Sequence, residues 1–349
     1  LGIITASISF ITIILMLSFK GFAYVDQISR NITESPIGLA LVFFGILYFA
    51  SDIIELPFSI YSTFVIEERF GFNKSTPKIF ITDKLKGYIL TIIIGGGLLS
   101  VFIWFVEKMG PVFWIYILIV FTLFSVFMNM FYSELIVPLF NKQKPLEEGE
   151  LRNAIQEFAN KAGFKLKNIY VIDGSKRSTK ANAYFTGLGP KKRIVLYDTL
   201  IQQMTTEEIV AVLAHEIGHY KKKHNLIGLV LSIIQFAITL YILSLFINNS
   251  SLSEALGVNK PAIHIGLITF GILYSPISTI IGLLMNILSR HHEYEADKFT
   301  KSFSLQQYLI SALKKLSKNN LSNPNPHPAY VFFHYSHPTL LQRIRALNN

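Results

Sequence analysis

Six apolar stretches, each near the length of a membrane crossing, constrain this chain more than any other feature. They lie at about 1–19, 38–66, 87–106, 112–140, 225–246 and 262–290. A spanning helix needs roughly 20 mostly apolar residues, and each stretch meets or approaches that length. The first contains several Ser and Thr. The second carries Asp52, Glu55 and Pro57. It reads either as a bent helix turning its acids to a cavity or as one whose acids meet the interface. Only 15% of the residues are charged, against about 25% in soluble domains.

Basic residues test this layout independently. If the six stretches all cross, 28 of the 32 Lys and Arg residues fall on one side. The positive-inside rule then places the rich side in the cytosol. The net charge of +10 is thereby accounted for by topology. No nucleic-acid-binding motif accompanies it, so nucleic acid is not an expected partner. The expected partner surface is the lipid bilayer.

The chain divides on this reading into four segments. Residues 1–140 hold four spans and 141–224 form a cytosolic-side α+β module. Residues 225–290 hold two further spans, and 291–349 form a helical C-terminal region. Within the module an amphipathic helix is expected at 147–162 and β-rich pieces at 168–172, 182–188 and 193–197. Gly187, Leu188, Gly189 and Pro190 give a turn signal between the last two, which predicts a hairpin. Thr205 with Glu208 three residues on is a capping-box signature. It opens a helix running through Ile209–Ala214 into His215. No internal repeat is present.

That helix carries the chemistry. His215-Glu216-Ile217-Gly218-His219 is HExxH, and positions i and i+4 lie about 40° apart on one helix face. Two imidazoles so placed can share one zinc ion, with Glu216 able to reach an activated water as general base. A surface helix that merely contains these residues is the competing reading, and the capped helical context argues against it. The chain has no cysteine, so any metal must be held by His, Asp or Glu.

A catalytic zinc normally takes three protein ligands and keeps one position open. A third His six residues after the second would fall at Asn225. His224 lies about 140° round a continuing helix, poor geometry for the same ion, and reads as a polar residue at the membrane edge. A carboxylate from the segment after the sixth span is the alternative. Glu293 can bind the ion, and Asp297, one turn on, can orient a ligand histidine through its ring N–H. His291 and His292 compete for the ligand role, or mark a basic, solvated helix end.

Taken together, these residues resemble the CAAX prenyl protease type I family of integral-membrane zinc endopeptidases. The resemblance rests on Ala214–His219 and on Glu293-Tyr294-Glu295-Ala296-Asp297 after a membrane helix. It also rests on 56–61, 63–68, 71–73, 174–178, Asn182-Ala183-Tyr184-Phe185, 193–200 and His334–Pro338. It runs from about residue 40 to the end of the chain. It implies a mainly α fold: a polytopic membrane helical bundle of seven spans around a water-filled chamber, with a small α+β metalloprotease module. Since six spans are counted here, it implies that the family's first helix is missing from this chain.

The resemblance further implies one Zn2+ per chain on His215, His219 and Glu293, with Glu216 as base. It places Asn182 on the edge strand that pairs with substrate, His337 to stabilise the oxyanion, and Arg343 in the substrate-binding network. Spacing alone points to none of these three. Without the resemblance, His337 reads as the first turn of a C-terminal helix, because Ser336 and Pro338 look like a helix start. The implied partner is a peptide or a membrane-associated protein, prenylated in the CAAX case. The absence of Cys and the abundance of Ile, Lys and Asn suggest a bacterial plasma membrane; a eukaryotic source would imply the endoplasmic reticulum. Two other readings are a membrane-protein quality-control zinc protease, which would have fewer spans, and a transporter with a vestigial metal site, which would usually show repeated halves.

Overall fold

The computed structural model describes residues 1–349 except 165, 167 and 187–192. The expected turn at Gly187–Pro190 therefore lies outside the described residues. All six apolar stretches are helical. The first is Gly2–Ser18, which meets a second helix, Gly21–Ile32, at a bend of 72°. Pro36–Glu67 is one apolar run of 32 residues, and Pro77–Phe140 one of 64. The longer run is interrupted by a 3-10 turn at Gly110–Val112, so it contains the third and fourth expected crossings. The last two are His224–Phe246 and Ile263–Lys301. The final helix runs on for 39 residues, well past the expected end at 290. The Glu293 segment is thus carried on the same helix as the sixth crossing, not on a region after it. Ile92, Ile93, Leu123, Ile238, Leu273 and Ile280 are all exposed. They lie on helices long and apolar enough to cross a bilayer, and the chain is an integral membrane protein.

The described residues form two compact units. The first comprises Leu1–Phe124 and Ser232–Pro276. Its core is apolar packing of Ala40, Ile103, Phe113, Ile117 and Leu240, with a second cluster around Phe22, Phe43 and Ile265. The helix Gly21–Ile32 occupies a segment read from sequence as a loop. It buries Phe22, Val25, Asp26 and Ser29, an i, i+3, i+4, i+7 stripe with a polar half. His264 Nε2 lies 2.7 Å from Asp26 Oδ1 and Arg30 Nε donates to Asp26 Oδ2 at 2.8 Å, so the buried acid is compensated. Asp52 is compensated as well. It accepts from Lys84 Nζ at 2.7 Å and from Tyr88 Oη at 2.5 Å, whereas Glu55 is exposed.

The second unit comprises Ser125–Leu231 and Ile277–Asn349. Its sheet has strands β1 (Gln143–Pro145), β2 (Asn168–Ile172), β3 (Ala183–Thr186) and β4 (Arg193–Tyr197). Their spatial order is β1-β2-β4-β3. β2 and β4 are parallel, in register Tyr170↔Val195, while β3 and β4 are antiparallel, Phe185↔Ile194. The expected hairpin pairing is therefore present, and β3 is left at an edge. Within β4, Ile194, Val195 and Leu196 are all buried, because the strand is covered on both faces and needs apolar side chains on each. The expected amphipathic helix is Glu150–Lys161. Its Ile155 and Phe158 pack with Ile194 and Leu196 and with Ile209, Leu213 and Ile217 of the HExxH helix.

Candidate active site

The helix Thr206–Lys221 opens with the expected capping box. Thr205 Oγ1 accepts from Glu208 N, and Glu208 Oε2 accepts from Thr205 N. Glu208 also takes hydrogen bonds from Ser311 Oγ at 2.7 Å and Lys315 Nζ at 2.6 Å. One carboxylate therefore caps the start of the helix and ties it to Gln306–Asn319. Ala211 joins Leu309, Ile310 and Leu347 in an apolar cluster, which brings the C-terminal helix Leu340–Asn348 alongside. On the other side Gly218 meets the helix Ile263–Lys301. A Cβ at Gly218 would stand 3.1 Å from Ala296 Cα and 3.2 Å from Ala296 O. A side chain at Gly218 would have to push helix backbone aside by a few tenths of an ångström, so the glycine favours this close approach of the HExxH and Glu293 segments.

That approach assembles the donor set. His215 Nε2 and His219 Nε2 are 3.1 Å apart, and Glu293 places oxygens 3.4 Å from the first and 3.3 Å from the second. Ligands bound at about 2.0–2.1 Å in a tetrahedron lie roughly 3.3 Å from one another, so these separations fit a single ion. His215 and Glu293 are buried, and Glu293 Oε2 makes no hydrogen bond. A buried carboxylate that sets one oxygen toward each of two imidazoles, with Oε2 left without a hydrogen bond, is what a metal site presents to its ion. His291 is exposed, and His292 stacks on His224 at 3.9 Å and 6°. Neither takes part in this group.

The surrounding shell is charged and dense. His215 Nδ1 lies 2.9 Å from Asp297 Oδ1, the orienting contact expected from sequence. Arg343 is buried and grips Asp297 through both oxygens, Nε to Oδ2 at 2.9 Å and Nη2 to Oδ1 at 2.6 Å. Its Nη1 stands 3.3 Å from Glu293 Oε2. His337 Nε2 is 3.3 Å from Glu293 Oε1 on an otherwise exposed side chain. The expected helix start at Ser336 and Pro338 is corrected: the C-terminal helix begins at Leu340, capped by Thr339 with Gln342. His337 consequently lies outside it. A cavity of about 160 Å³ is lined by Asn182, His215, Glu216, Glu293, His337 and Arg343. Asn182 precedes β3, and its carbonyl extends the ladder by accepting from Tyr197 N at 3.1 Å. It also lines a second cavity, of about 570 Å³, with Tyr132, Tyr184 and Tyr197.

His224 stays outside this donor group and opens the membrane helix His224–Phe246, as expected, but it lies closer to His219 than a continuing helix would put it. It is buried, with Nδ1 3.1 Å from His219 Nδ1 and Nε2 2.9 Å from Glu295 Oε2. The 140° estimate assumed a continuing helix. The chain instead breaks at Lys223, whose φ is +61°, and turns His224 back over His219. A non-glycine residue in the left-handed region is uncommon and leaves little signal in one sequence.

Burial works against a charged His215, but Asp297 and Glu293 outweigh it and lift its pKa to about 8. A metal ligand must be deprotonated. Below pH 8 the metal-free chain holds a proton that binding must release, so affinity falls as pH falls. We expect the apparent metal affinity to drop about tenfold for each pH unit between 8 and 6. Chelator competition across that range checks the slope, and a flat profile would contradict it.

A polytopic membrane chain with an HExxH helix and a carboxylate closing the donor set from a second helix belongs to the class of membrane metalloproteases. Residues 145–349 match the family described as peptidase family M48, and residues 1–142 match the CAAX prenyl protease N-terminal region, described as five membrane helices. The chain belongs to peptidase family M48. It is 40% identical to CAAX prenyl protease 1 of Saccharomyces cerevisiae over 333 residues, covering 90% of this chain and 73% of that one. It is 43% identical to an Arabidopsis thaliana homologue of that protease over 303 residues, covering 85% and 70%. The crystal structure of S. mikatae Ste24p shares the fold with a TM-score of 0.91 at 37% identity, covering 96% of this chain and 83% of that one.

Proposed function

We propose that the chain is a zinc endopeptidase that cleaves near the C-terminus of prenylated CAAX proteins, inside a chamber enclosed by its membrane helices. The observation that carries the reading is the His215, His219 and Glu293 donor triangle beside Glu216 and an open sheet edge. The names of the relatives support the substrate class. The relatives named above are all eukaryotic, which favours the endoplasmic reticulum membrane over a bacterial one. The distribution of Lys and Arg favours an active site on the cytosolic side. The module at 141–224 and the C-terminal region are read as one catalytic unit served by the membrane helices.

His215, His219 and Glu293 would hold the zinc ion, which would supply Lewis acidity toward the scissile carbonyl and lower the pKa of a nearby water. The chain's own residues do the rest. An extended substrate adds to the free edge of β3 through main-chain hydrogen bonds, with Asn182 at its start. Glu216 accepts the proton of the attacking water and returns it to the leaving amine. His337 donates to the developing oxyanion, an interaction of the kind that contributes on the order of 3 kcal/mol. Arg343 holds Asp297 and Glu293 in place and adds positive charge to the wall of the cavity.

The test is to measure metal content and cleavage with detergent-purified protein, offering matched peptides with and without a farnesyl group on the CAAX cysteine. We expect one zinc per chain, release of the C-terminal tripeptide seen by mass spectrometry, and preference for the farnesylated peptide. We also expect loss of both metal and turnover in Glu293→Ala. Wild-type protein that takes up no zinc would end the reading. Equal turnover of the two peptides would keep the protease and remove the prenylated substrate.

A further inference from the structure

We infer that His224, backed by Glu295, is a positioning residue that locks His219 in its metal-binding tautomer. The inference rests on the zinc reading above and concerns residues to which that reading gives no role.

The argument starts from the ring nitrogens. His219 Nε2 faces the donor triangle, 3.1 Å from His215 Nε2 and 3.3 Å from Glu293 Oε1. To bind a cation there it must be unprotonated, which places the ring proton on Nδ1. That nitrogen is 3.1 Å from His224 Nδ1, so His224 Nδ1 must be the acceptor. The proton of neutral His224 then sits on Nε2, which lies 2.9 Å from Glu295 Oε2. One proton assignment satisfies every contact in the line from Glu295 through His224 to His219. The opposite tautomer of His224 would put two N–H groups face to face and leave Glu295 without its donor.

The two ligand histidines are thus supported in parallel ways. His215 is oriented by Asp297 at 2.9 Å, itself held by Arg343. His219 is oriented by a histidine, itself held by a carboxylate. His224 has little freedom to do otherwise: it is 5% exposed, follows the left-handed turn at Lys223, and is stacked on the ring of His292.

His224, His292 and Glu295 also lie close enough together to suggest a second metal site. The geometry speaks against it. Imidazole lone pairs lie in the ring plane, and two rings stacked 3.9 Å apart at 6° cannot both aim in-plane at one ion. Both nitrogens of His224 are, moreover, within hydrogen-bond distance of other partners.

The test compares His224→Phe with His224→Asn in the full chain. Phenylalanine fills the space and keeps a ring to stack on His292, but cannot accept a proton. Asparagine loses the ring yet places its amide oxygen where Nδ1 was. If His224 acts through the tautomer of His219, Phe should weaken zinc binding by about ten- to a hundredfold, the usual range for losing such a partner. Asn should recover to within about threefold of wild type, since the acceptor is restored. Affinity is read by chelator competition, and the ligand field by the visible spectrum of the cobalt-substituted proteins. The spectrum should shift in Phe and return in Asn. A purely structural role predicts the reverse order, because Asn is the more disruptive change to packing. Phe binding zinc as tightly as wild type, or Asn binding as weakly as Phe, would overturn the inference. So would a second zinc in wild type that is lost in both variants while the first stays. Wild-type protein without zinc would overturn it together with the reading on which it rests; the other results leave that reading standing.

Discussion

Glu216→Gln is expected to lower kcat by about 10²–10⁴-fold, the range for losing a positioned general base, with zinc still at one per chain. The substitution keeps the size and hydrogen-bonding reach of the side chain and removes only its ability to take a proton. Glu216 follows His215 on the helix, turned into the same cavity as Glu293, Asn182 and His337. It is absent from the donor group formed by His215, His219 and Glu293, so metal binding does not depend on it. The expected pattern is a fall in kcat with KM for the peptide nearly unchanged, the signature of an interaction made in the transition state. A variant with normal kcat would move the base elsewhere. One that lost its zinc would make Glu216 a ligand or a support for one, and the donor triangle would need redrawing.

The parts of the site that could be read from sequence are those governed by local periodicity. The i, i+4 histidines and the Thr205–Glu208 capping box are both rules of one helix turn, and the structure has both geometries. The placement of Glu293 beside them is a tertiary fact. Sequence could offer it only in competition with His291 and His292. What brings it in is the small contact of Gly218 on Ala296, a contact with no periodic signature. The closeness of His224 to His219 went unread for the opposite reason: a helical rule was extended across Lys223, where the helix had ended. The helix Gly21–Ile32 was missed because its buried face is half polar. Asp26 reads as a loop residue until His264, 238 positions away, supplies a partner, and Ser29 until its hydroxyl is seen bonding the Val25 carbonyl. The start of the C-terminal helix was placed at Ser336 and Pro338 on residue type, whereas Thr339 has the better reciprocal partner in Gln342. Asn182, His337 and Arg343 carry no motif of their own and entered only through the resemblance.

Arg343 is the residue whose loss should cost the most stability. An exposed ion pair contributes about 0–1 kcal/mol, but this guanidinium is buried between two buried carboxylates. It binds Asp297 with two hydrogen bonds and stands 3.3 Å from Glu293. Arg343→Met keeps most of the packing volume but takes the buried guanidinium from both acids, so we expect a loss of about 3–5 kcal/mol, as when one partner of a buried pair is removed. The bound metal carries positive charge to Glu293, and should offset part of that loss. The gap in thermal stability between zinc-loaded and chelator-treated protein should therefore be wider in Arg343→Met than in wild type. Arg343→Lys should fall between the two, since it restores the charge without the planar fork that grips both oxygens of Asp297. Pairing Arg343→Met with Asp297→Asn separates the causes. If the cost comes from an uncompensated Asp297, the double variant should be more stable than the sum of the single changes predicts. Additive losses, or an Arg343→Met protein within about 1 kcal/mol of wild type, the surface-pair range, would mean that water reaches these carboxylates and that the site is held by its apolar frame.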